Sequence, residues 1–110
     1  MKMSISVNRS TTIIGQDVQV TVWLTDVRAR DLPKPAEPHR VALHGTHLLI
    51  QDILNQQAWQ EATLLTCRDR AFAFGVTPDQ VGRHVITADL FWAQHFIGSV
   101  QTEIDVQSEG

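Results

Sequence analysis

The chain has 110 residues, 43% of them hydrophobic and 19% charged, a balance that suits one folded domain and excludes a disordered chain. Its formal net charge is −3 and it has no basic stripe, so neither nucleic acid nor an anionic membrane surface is expected as a partner. Cys67 is the single cysteine, which rules out an intrachain disulfide.

The opening, MKMSISVNRS, has no apolar leader core, and no run reaches membrane-span length; a cytoplasmic location is expected. Met3, Ile5 and Val7 alternate with serines and predict a first strand. Gly15 offers a bend. Val18, Val20, Val22 and Leu24 then fall on one face of a strand, with Gln19, Thr21, Trp23 and Thr25 on the other. This period-two pattern, rich in β-branched residues, marks a half-buried strand.

The segment RDLPKPAEPH carries three of the four prolines and reads as an exposed loop, because proline cannot donate to a sheet ladder. Pro35-Ala36-Glu37-Pro38 matches a PxxP ligand in form, but a stiffened loop is the simpler reading. Val41 and Leu43 suggest a short strand broken at Gly45. Residues 46–60 are ambiguous. One reading has strands over Leu48–Ile53 and Thr63–Cys67 with a loop between; the other has a short helix near Ile50 to Ala58, where apolar residues recur at i+4. The surrounding strand-like sequence favours strands.

Phe72, Phe74 and Val76 share one face, with small residues on the other. His84, Ile86, Ala88, Leu90 and Trp92 share another, and AQHF reverses the chain into a last strand with Val100, Thr102, Ile104 and Val106 inward. The last two strands are expected to form a hairpin. The fold class is therefore all-β, an antiparallel sandwich of about seven strands over residues 1–107, with 108–110 as a polar tail or linker start.

The stretch from Phe72 to Val106 resembles the immunoglobulin-like fold. In that family a D-x-G-x-Y turn leads into the penultimate strand; here Asp79, Gly82 and His84 stand in PDQVGRH, with one extra residue before the glycine and histidine in the tyrosine's place. Ile86, and Val20 or Val22, occupy positions where many members carry the paired cysteines. The resemblance implies a cysteine-free sandwich joined by aliphatic packing. The rhythm of this region is also similar to accessory sandwich domains in multidomain bacterial signalling or defence proteins, which accompany a separate effector and are non-catalytic.

Five histidines, His39, His44, His47, His84 and His95, raise the question of metal. His44 and His47 are the closest pair, but on strands they diverge, and a zinc site needs three or four ligands. Surface or loop histidines are the expectation. His84 is assigned to the turn, hydrogen-bonded across Thr77 to Val81. Cys67 is expected to be packed or half-buried and inert, with Arg68 and Arg70 on the opposite face of its strand. No phosphate loop, nucleophile elbow or calcium loop is present, so no enzyme activity, metal or cofactor is expected.

Trp23 lies on the polar side of its strand, and Trp92, Gln94 and His95 lie at the hairpin end, where little chain is left to cover them. These four form the candidate interaction surface, with the hairpin end preferred. The expected function is a non-enzymatic protein-interaction or spacer module of a larger intracellular bacterial protein, with partners among that protein's other domains or another protein. The alternative is a ligand-binding sandwich, for example for carbohydrate; a small metal-binding protein using His44 and His47 ranks third.

Overall fold

Among the described residues, alternation of apolar and polar side chains accompanies nine strands: β1 (Lys2–Val7), β2 (Thr11–Ile13), β3 (Val18–Thr25), β4 (His39–His44), β5 (Leu48–Asp52), β6 (Trp59–Ala62), β7 (Arg70–Pro78), β8 (Gly82–Trp92) and β9 (His95–Gln107). The computed structural model describes residues 1–32, 37–52 and 56–109, with the side chain of Asp52 excepted. One 3-10 turn, Ala29–Asp31, is the only helical element among them.

The strands form two sheets packed as a β-sandwich. The four-stranded sheet has the order β1-β3-β7-β5 and the five-stranded sheet β2-β9-β8-β4-β6. All pairs are antiparallel except β2 with β9. The core lies between the sheets: Val18, Val20, Val22 and Leu24 of β3 and Phe72, Phe74 and Val76 of β7 face Val41 and Leu43 of β4, Ile86, Ala88 and Leu90 of β8, and Ile104 and Val106 of β9. The apolar inward residues expected from Val18 to Leu90, and Ile104 and Val106 of the last strand, are buried; at the two ends of the β8 face His84 is half-buried and Trp92 is 38% exposed. Val100 and Thr102 are half-buried.

Four expectations are corrected. The strands among the described residues number nine rather than about seven, because β2 and β6, three and four residues long, are too short to carry a periodic signal. The strand reading preferred for Leu48–Ile53 holds over its described part, Leu48–Asp52 forming β5; residues 53–55 lie outside the described residues, as do Pro35 and Ala36 of the PxxP match. The strand expected over Thr63–Cys67 lies earlier, at Trp59–Ala62. Its partner decides this: Ala62 pairs with His39, the first residue of β4, and Pro38 before it has no N–H to extend the ladder. Residues 63–69 therefore leave the sheet, and Cys67 is exposed rather than half-buried.

His39 is the fourth correction. It is a β4 residue, 2% exposed, not a surface histidine. Its parity with buried Val41 and Leu43 carries it inward.

Candidate functional site

The outward residues of the five-stranded sheet are set by register. β4 pairs with β6 so that Arg40 lies beside Glu61 and Ala42 beside Trp59. On its other side β4 pairs with β8, placing Arg40 beside Phe91 and Ala42 beside Asp89. β9 continues the row, with Phe96 opposite Phe91. Side chains from distant sequence positions thus form a row, Glu61, Arg40, Phe91 and Phe96, with Trp59 and Asp89 in the row beside it.

These contacts are specific. The Arg40 guanidinium lies 4.3 Å above the centre of the Trp59 ring, within cation–π range. Its Nε donates to Glu61 Oε1 at 2.9 Å. Phe91 and Phe96 meet edge to face at 5.8 Å, a favoured aromatic geometry. Phe96 is 60% exposed. Trp59, Phe91, Arg40, Ala42 and Glu61, with Glu37, Pro38, Ala93 and Gln94 at the rim, line an open groove of about 730 Å³. That is ample for a small ligand or a peptide side chain.

The groove ends at the β8–β9 hairpin. Trp92 pairs with His95 across a two-residue turn, Ala93-Gln94. Both turn residues have positive φ, 50° and 69°. Such turns match the twist of the strands but favour Asn-Gly, because a Cβ is strained in the left-handed region. Two non-glycine residues held there store strain at the groove's rim.

Behind the hairpin, Trp92 turns inward and stacks on His39, ring centres 5.8 Å apart and planes within 9°. His39 Nδ1 has no hydrogen-bond partner among the described residues. Burial away from water holds the His39 imidazole below the usual histidine range, with Asp31 pulling weakly the other way. The ring is neutral near neutrality and serves as packing beneath Trp92.

No protein-family model matches the chain, and no curated protein matches it. Among solved structures it is similar to an extracellular fragment of EsaA from Streptococcus gallolyticus, at 16% identity and a TM-score of 0.47. The likeness covers 82% of this chain but only 23% of that one, so the chain spans under a quarter of its neighbour's length.

Of the residues singled out in the sequence, Gln94 lines the groove; Trp92 and His95, paired with each other across the turn, do not, and Trp92 turns to the other face. Trp23 lies on the opposite sheet, 40% exposed, between Ser4 and Ala71, and belongs to a separate surface. At the far end of the sandwich, His84 Nε2 donates to Gln80 O at 2.8 Å, bracing the turn that Asp79 and Gly82 build; Gly82 has φ +126°, a conformation reserved for glycine.

His44 and His47 are not brought together. His44 Nε2 meets Asp89 at 3.0 Å, whereas His47 sits near Asp79 and edge-on to His84. Among the described residues no group of three or more His, Cys, Asp or Glu converges as metal ligands.

Arg40, Trp59, Glu61, Phe91 and Phe96 were missed in the sequence. The last two had a usable signal: Phe91 alternates outward from buried Leu90. Trp59 had none without the β4–β6 register.

Proposed function

We propose that this chain is a non-enzymatic interaction module, immunoglobulin-like in architecture, that docks a partner through the hairpin end of its five-stranded sheet. One observation carries the reading: Trp59 and Phe91 line a solvent-facing groove, with exposed Phe96 packed edge-on against Phe91 beside it, on a face where a free-standing sandwich needs only polar residues. Aromatic rings beside an arginine are the composition of binding hot spots. The strained Ala93-Gln94 turn at the rim adds weight, since such strain collects where a surface is used.

The immunoglobulin-like reading is supported by sheet membership. β1-β3-β7-β5 and β9-β8-β4 take the places of strands A-B-E-D and G-F-C of that fold, with β6 beside β4 in the C′ position. The chain departs in one respect: it visits the D position (β5) before the C′ position (β6). A cytoplasmic setting in a larger bacterial protein is supported by Cys67, an exposed free thiol suited to a reducing compartment. No described helix is long and apolar enough to cross a membrane.

A photocrosslinking residue at Phe96, compared with one at Val81 at the opposite end, tests the site in cells. Crosslinks at Phe96 that vanish in Trp59→Ala are expected. Crosslinks confined to Val81, or to Trp23 on the other sheet, would move the site. The carbohydrate alternative keeps one supporting observation, two aromatic rings lining a groove with polar rims. Calorimetry with neutral oligosaccharides tests it; heat of binding lost in Trp59→Ala would favour it.

A further inference from the structure

We infer that the partner segment seated in this groove is cationic: an arginine- or lysine-bearing stretch of polypeptide that also presents an apolar residue. The inference rests on the docking site proposed above and names its occupant from charge. The outward positions of the five-stranded sheet and the groove rim carry the carboxylates Glu37, Glu61, Asp89, Glu103 and Asp105. Against them stand Arg40 and Arg83. The excess of three negative charges on this face equals the formal net charge of the chain, −3. Elsewhere among the described residues, six carboxylates and six Lys or Arg side chains balance. The acidity of the described residues is therefore one-sided.

At the groove itself Glu37, Glu61 and Asp89 stand against Arg40, an excess of two negative charges among the described residues, whereas Glu103 and Asp105 lie toward the far end of β9, opposite Val85 and Arg83; the local field repels nucleic acid, anionic lipid and acidic peptide and attracts cations. It also opposes a second copy of the same face, which would set like charges together. The groove holds an internal example of the recognition: the Arg40 guanidinium lies over Trp59 and is gripped by Glu61. A ring and a carboxylate set at this spacing bind a guanidinium with both cation–π and charge-assisted contacts. Glu37, half-buried at the rim, has no ion pair or hydrogen bond among the described residues and offers a second carboxylate to an incoming cation. Trp59 and Phe91 supply the apolar seat.

The test uses the full chain, isotopically labelled, and synthetic peptides of one length in which leucine alternates with arginine, glutamine or glutamate. The arginine peptide alone is expected to shift the Trp59 indole and Phe91 signals. Its binding weakens as salt rises from about 0.05 M to about 0.3 M, as screened charges require. Glu37→Gln weakens it about fivefold, the scale of one exposed ion pair, without changing the melting temperature. Equal binding by the glutamine or glutamate peptide at the same signals overturns the cationic occupant while leaving the docking site standing. No peptide perturbing this face, or cellohexaose perturbing it instead, overturns both.

Discussion

The outer faces of the two sheets are built on the same alternating strands, yet they present different surfaces. On the four-stranded sheet, Ser4, Ser6, Thr21, Ala73 and Gly75 leave a low, nearly uncharged surface with Trp23 set among small neighbours. On the five-stranded sheet, Arg40, Glu61 and Asp89 stand around Trp59, Phe91 and Phe96, and Glu103 and Asp105 carry the charge on toward the far end. The inner faces, by contrast, are interchangeable in character: aliphatic and phenylalanine side chains at every second position. The difference teaches that stability is distributed over both sheets, while charge and grouped aromatic rings are concentrated on one. Burial constrains the inward positions alike, and the outward positions are free to specialise.

The strongest way to break this comparison is through the core. Phe74→Ala in one sheet and Ile86→Ala in the other are each expected to cost ~2–5 kcal/mol in denaturant unfolding, as large-to-small changes in a packed interior do. A loss confined to one sheet would show that the inner faces are not equivalent. Next in size comes binding. Trp59→Ala is expected to remove ~2 kcal/mol of partner affinity, the scale of an aromatic anchor, whereas Trp23→Ala leaves affinity unchanged. The reverse result, measured by titration calorimetry, would exchange the roles of the two faces.

His39 sharpens the contrast between interior and surface. Its folded-state pKa is lowered by burial, so the unfolded chain binds the proton more readily. Its stabilising contribution is therefore full above the ordinary histidine value, about 6.5, and falls as pH drops through it. Urea unfolding at a series of pH values should show this decline in the native chain, and a His39→Phe variant, which keeps a ring against Trp92, should lack it.

The smallest effects lie at the turns. Ala93→Asn with Gln94→Gly should raise stability by ~1 kcal/mol by relieving two positive-φ residues, and should weaken binding if the groove uses Gln94. At the other end, His84→Ala should lower stability by ~1 kcal/mol, the worth of one part-exposed hydrogen bond; thermal melts read both.

Much of the sandwich was legible in the sequence because β3, β7, β8 and β9 each have one buried face and one wet face, which alternation reports directly. Trp92 was legible for the same reason: its parity with Leu90 turned it inward. His39 carried the same signal, in step with Val41 and Leu43, but its proline-rich approach masked it. β2 could not be read, since a three-residue strand paired in parallel with β9 leaves no periodicity. The groove was hidden for a deeper reason. Arg40, Trp59 and Phe91 belong to separate segments, and only the pairing of β4 with both β6 and β8 makes them neighbours. Gln94 and His95 were found because a hairpin tip is recognisable locally.

The parallel pairing of β2 with β9 has a mechanical consequence. β1 enters the sandwich beside Gly98, at the hairpin end, and β9 leaves it beside Gly82, at the other. A tug on the two ends therefore runs along the 53 Å long axis. Under that load β2 and β9 slide past each other instead of peeling apart, so the bonds from Ile14 N to Gln107 O and from Asp105 N to Ser10 O share the force and must rupture together. Single-molecule stretching from the two ends should therefore meet a higher rupture force than stretching across the β8–β9 hairpin, where the bonds unzip one at a time.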